Sequence, residues 1–108
     1  MKISNNYNRF LHGVIYKQVK AIQEPLKVFD GKFIFRPCSI SLDSVKQLLK
    51  HIDLDYPRND KGVLSITQLT SKQVCEHIEF IILLLGENGH TFEFIEDEWN
   101  RILKEIKW

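Results

Sequence analysis

Apolar and polar positions alternate along this chain in patterns that change period several times. From Asn6 to Glu24 the apolar residues Phe10, Leu11, Val14, Ile15, Val19 and Ile22 fall at helical spacing. Asn5 or Asn6 can cap such a helix and Pro25 closes it, while Gly13 and the β-prone "GVIYKQV" leave a strand reading open. "LKVFDGKFIFRP" then places two short β-prone runs around Asp30-Gly31. That dipeptide suits a type I′ hairpin turn, in which both central residues need positive φ, and Pro37 ends the second strand. "SISLDSVKQLLKHI" returns to helical spacing through Leu42, Val45, Leu48, Leu49 and Ile52, with Ser41 as N-cap and Asp43 in the first turn.

The second half follows the same grammar. "DLDYPRNDKG", Asp53 to Gly62, reads as a loop, and "VLSITQL" as a short strand. "TSKQVCEHIEFIILLLG" reads as a helix with a capping box formed by Thr70 and Gln73 and a stop at Gly86. In the last stretch Phe92, Ile95, Trp99, Ile102, Leu103 and Ile106 form a helical stripe with Thr91 as candidate N-cap. Glu93, Glu96, Asp97 and Glu98 come early in it and Arg101, Lys104 and Lys107 late, an order that complements the helix dipole. The pattern predicts a single α+β domain over residues 1–108, with about four helices and a small antiparallel sheet containing the Asp30-Gly31 hairpin. Its core should include Leu49, Ile52, Val74, Ile78, Ile81, Leu85, Trp99, Ile102 and Leu103.

Composition narrows the class. With 108 residues, 44% hydrophobic and 27% charged, the chain suits one core, and its formal charge of +1 exerts no global pull toward nucleic acid or membrane. The charge is uneven, however. Residues 1–53 hold nine Lys or Arg against four Asp or Glu, and residues 54–108 hold six against ten. The longest apolar run, "FIILLL", is far shorter than the roughly 20 residues that span a bilayer, and no apolar run follows Lys2 as in a signal peptide. Cys38 and Cys75 form no CxxC and are expected to be reduced. These features together lead to the expectation of a cytoplasmic protein.

Chemical motifs fare poorly. "GENG" has the GxxG of a backbone-clamping KH loop, but Glu87 has the wrong sign for a polyanion. His77-Ile78-Glu79 has the H-x-E of zinc deaminases without the P-C-x-x-C that completes the ligand set. His90, Glu93 and Asp97 share a helical face but have no further His or Cys, and His12 and His51 stand alone. No nucleophile elbow, P-loop or dinucleotide fingerprint occurs. The expectation is a protein without catalytic residues, metal or cofactor. Lys17, Lys20 and Lys27, with Lys2, Arg9, Lys32 and Arg36, near Tyr7, Tyr16 and Phe29, are the residues a single-stranded nucleic acid would use.

In size, low cysteine content, α+β pattern and absence of catalytic motifs, the chain resembles the small immunity proteins of bacterial toxin–immunity systems, including those of contact-dependent growth inhibition. The residues behind the likeness are the capped segments "TSKQVCEHIEFIILLLG" and "TFEFIEDEWNRILKEIKW" and the polar loop "DLDYPRND". The resemblance implies a protein that binds a cognate toxin domain and blocks its active site or substrate access. Immunity proteins against nucleases are often acidic, so at a net charge of +1 this role requires the acids to gather in one patch. The candidate partner-binding residues are Asp53, Asp55, Tyr56 and Asp60 in the loop, with Glu93, Glu96 and Asp97 at the start of the last helix. The alternative is a small nucleic-acid-binding transcriptional regulator.

Overall fold

A computed structural model describes residues 11–90, in which helices are interleaved with two small antiparallel sheets in an α+β arrangement. The described residues begin with a π-helical segment, Leu11–Ile15, that runs directly into helix α1, Tyr16–Lys20. Hairpin β1 (Leu26–Val28) and β2 (Phe33–Phe35) follows, then a 3₁₀ turn at Pro37–Ser39 and helix α2, Leu42–Ile52. A second, two-residue ladder pairs β3 (Arg58–Asn59) with β4 (Gly62–Val63). A 3₁₀ turn at Ile66–Gln68 leads into helix α3, Ser71–Glu87. Helix α1 packs on α2, and the π-helical segment packs on α3.

Helix ends follow their local chemistry. The Ser41 hydroxyl accepts the Ser44 N–H at the start of α2. At α3 the Thr70 hydroxyl accepts the Gln73 N–H while the Gln73 side chain accepts the Thr70 N–H, a reciprocal capping box. The stop lies beyond Gly86. Asn88 is the C-cap and Gly89 takes φ +80. The His90 N–H bonds the Leu85 carbonyl and the Gly89 N–H that of Gly86, the paired bonds of a Schellman motif. The expected strand in "VLSITQL" shrinks to Gly62–Val63, because Ser65 and Gln68 form their own capping box and wind Ile66–Gln68 into a 3₁₀ turn.

The hairpin forms where Asp30-Gly31 signals it, with Leu26 opposite Phe35, Lys27 opposite Ile34 and Val28 opposite Phe33. Its loop is longer than a two-residue I′ turn. Phe29 and Asp30 as well as Gly31 have positive φ, and the Gly31 and Lys32 N–H groups bond the Val28 and Phe29 carbonyls in succession. For a bulky side chain such as Phe29 the left-handed region costs about 1–3 kcal/mol.

Leu49, Ile52, Val74, Ile78, Ile81 and Leu85 are all buried, joined by Leu11, Ile15, Val19, Leu26 and Val45. The expected core positions Trp99, Ile102 and Leu103, the last helix itself, and the beginning of the first one lie outside the described residues. Cys38 is exposed and Cys75 is buried. Among the described residues no helix is long and apolar enough to cross a membrane.

Candidate functional site: an acidic cleft over a buried Tyr–His–Asp chain

The π-helical segment Leu11–Ile15, at the start of the described residues, sets up the site. In an α-helix residues i and i+5 face apart, but a π turn bonds i to i+5 and brings them together. Leu11 and Tyr16 are therefore both buried, and Tyr16 points inward among core residues. Its hydroxyl lies 3.0 Å from Nε2 of His77 on α3. Nδ1 of His77 lies 2.9 Å from a carboxylate oxygen of Asp53, the residue that caps α2. Nδ1–H donates to Asp53 and Nε2 accepts the Tyr16 O–H, so the neutral imidazole satisfies both neighbours. Tyr16 has no exposed surface, His77 1% and Asp53 5%, so all three polar groups depend on one another rather than on water.

Asp53 also organises the loop that follows. Its second carboxylate oxygen accepts the Asp55 N–H, and its carbonyl accepts the Tyr56 N–H. The Arg58 guanidinium donates to the carbonyls of Asp53 and Tyr56. Tyr56 folds inward to 2% exposure, stands edge-on to the His77 ring, and donates its hydroxyl to the Leu64 carbonyl at 2.7 Å. The loop is thus held from inside by two of the residues that the sequence marks as partner-binding.

Burial shifts the titrations. Desolvation lowers the His77 pKa, opposed by the hydrogen bond and charge of Asp53 and assisted by Lys50. Desolvation raises Tyr16 and Tyr56, with Asp53 adding to both. Lys50, buried with its ammonium 6.0 Å from the Tyr56 ring centre, is lowered by desolvation and by Lys46. For His77 the sign is definite. Below its unperturbed value of about 6.5 the unfolded chain takes up a proton that the fold resists, so stability falls on acidification and levels off below the folded pKa. His12, lowered chiefly by burial, acts in the same direction. The urea midpoint should therefore be lower at pH 5 than at pH 7.5, and less so in His77→Gln; a midpoint that rises on acidification would reverse the assignment.

Above this chain of bonds, the loop and the flank of α3 enclose a cleft of about 540 Å³. Its lining includes Asp53, Asp55, Glu76 and Glu79, against a single cation, Lys72, among the described residues. Phe80 and Leu83 supply an apolar wall, and Leu83 is largely exposed, as is Leu54 in the loop. Asp55, Glu76 and Glu79 are exposed, whereas the Asp53 carboxylate is committed to His77 and the Asp55 amide. Asp60 is exposed at the β3–β4 turn and is not part of the cleft lining. Glu93, Glu96 and Asp97 lie outside the described residues. Glu76 and Glu79 were not among the sequence candidates; their spacing of three on α3, beside a loop rich in Asp, is the signal that could have found them.

Among the described residues no group of three His, Cys, Asp or Glu side chains is arranged to hold a metal ion. Both ring nitrogens of His77 are engaged, and the hydroxyl that ends the chain of bonds is fully buried, so the chain offers the cleft no free reactive atom. The cleft combines negative charge and an apolar wall above the hydrogen-bonded Asp53–His77 pair. No family model, curated protein or solved structure matches this chain.

Proposed function

We propose that the protein binds and neutralises a basic protein partner, in the manner of a bacterial immunity protein acting on a toxin domain in the cytoplasm. The observation that carries this reading is the cleft: Asp55, Glu76 and Glu79 converge beside Phe80 and Leu83. Acidic groups around an apolar patch favour a cationic partner that also buries a hydrophobic or aromatic anchor, with charge setting encounter rate and register. A nuclease domain, whose substrate cleft is cationic, is one class of partner with that charge. Asp53 and Tyr56 serve this surface from beneath, by fixing the loop that presents Asp55.

The test is co-expression with the product of the adjacent upstream reading frame, followed by co-purification. A stable complex that suppresses that product's toxicity is the expected result. No complex, together with submicromolar binding to the protein's own promoter DNA, would replace this reading with the transcriptional regulator.

A further inference from the structure

The two edges of the first hairpin are treated differently. On the outer edge of β1 the Asn88 side chain accepts the Lys27 N–H at 2.8 Å and donates to the Lys27 carbonyl at 3.0 Å, closing that edge as a neighbouring strand would. Because both Lys27 backbone groups point at Asn88, Lys27 and Ile34 form a non-hydrogen-bonded pair of the ladder. The Ile34 N–H and carbonyl therefore point away from β1, at the outer edge of β2. No further strand joins that edge among the described residues. Ile34 is 53% exposed, and Phe29 and Phe33 beside it are exposed as well. Phe29 holds φ +54 without being buried in return, a strained conformation of the kind that clusters at binding sites.

We propose that the outer edge of β2 binds an extended acidic segment of a partner protein, which adds to the hairpin as a third, antiparallel strand centred opposite Ile34. This is a second surface, independent of the acidic cleft. Ile34 and the extended Arg36, two apart, share a face, Lys27 pairs across from Ile34, and Lys32 stands at the turn just before β2, so cations flank Ile34 along the edge. All three cations are exposed, and Arg36 is itself extended. The matching strand carries an apolar residue opposite Ile34 and carboxylates two positions to either side, near Lys32 and Arg36. A second copy of this chain fits poorly, because antiparallel pairing about Ile34 would set Lys32 against Arg36 twice. Single-stranded nucleic acid could use the cations and rings, but it has no backbone donor and acceptor to match those of Ile34, and Asp30 at the turn repels phosphate.

The experiment uses the full ¹⁵N-labelled chain and a blocked synthetic peptide, Thr-Glu-Thr-Val-Thr-Glu-Thr, at millimolar concentration. Amide shifts should change at residues 32–36, and Ile34 amide exchange should slow by about tenfold or more at saturation. N-methylation of the peptide's central valine should abolish both effects, and a peptide with Lys in place of Glu should not bind. The Lys32→Glu, Arg36→Glu double variant should reverse that charge preference. Unchanged Ile34 exchange, equal binding of the Lys peptide, or shifts at this edge produced by an oligo-dT strand but not by the peptide would overturn the proposal. So would a dimer in the free protein that Ile34→Lys dissolves. None of these outcomes bears on the cleft, whose charge-reversed variants should bind the peptide as the wild type does.

Discussion

His77→Ala should lower the free energy of unfolding by about 3–5 kcal/mol, because it removes the side-chain donor to a buried carboxylate, the acceptor of a buried hydroxyl and a packed ring at once. The imidazole is the only described side chain hydrogen-bonded to the Asp53 carboxylate, and it accepts the Tyr16 hydroxyl. Its removal leaves a carboxylate and a hydroxyl buried with lost partners, each costing about 1–3 kcal/mol, and opens a void beside Tyr56 and Phe80. Since a domain of this size holds about 5–15 kcal/mol in all, the variant should sit near the limit of folding. Tyr16→Phe should cost about 1–2 kcal/mol, because it strands only the Nε2 lone pair. Urea unfolding of both single variants and the double variant would measure the coupling. Strict additivity would show that the two side chains do not share a bond.

Leu85→Ala should cost about 2–5 kcal/mol, the range for deleting a buried leucine side chain where the core relaxes incompletely. Leu85 is 2% exposed on the inner face of α3, and its carbonyl takes part in the Schellman stop through the His90 N–H. The side-chain deletion leaves that backbone bond intact, so circular dichroism should show α3 retained while the urea midpoint falls. A change under about 0.5 kcal/mol, typical of surface sites, would place Leu85 outside the core.

These two positions differ in how visible they were from sequence. Leu85 belongs to a helical apolar pattern bounded by the Thr70–Gln73 box, and patterns of that kind depend only on near neighbours. The Ser41 cap, the Asp30-Gly31 turn and the burial of Leu49, Ile52, Val74, Ile78 and Ile81 were legible for the same reason. His77 was not, because its partners are 24 and 61 residues away in the chain. Read locally, it is a histidine two residues from a cysteine on a helix. Tyr16 is not legible because a period of 3.6 residues per turn leaves it off the apolar stripe, whereas Leu11–Ile15 is π-helical and rotates the next residue inward. Tyr56 illustrates the opposite error. A tyrosine in a loop of aspartates has the composition of an exposed anchor, yet its hydroxyl reaches the Leu64 carbonyl and its ring meets His77. The loop's exposed acid in the cleft is Asp55, and α3 supplies the other two, Glu76 and Glu79.

The central claim is that this acidic cleft receives a cationic partner, and association kinetics test it most directly. Stopped-flow mixing with the upstream gene product, across a range of ionic strength, would compare the wild type with an Asp55→Lys, Glu76→Lys double variant whose circular dichroism is unchanged. Both substitutions lie at exposed positions, so the fold should tolerate them. The wild-type rate constant should fall steeply with added salt as the charges are screened. The variant should associate at least about tenfold more slowly at low salt, with the salt dependence flattened or reversed. Identical rates and identical salt dependence for the two proteins would contradict the assignment of the cleft as the binding surface.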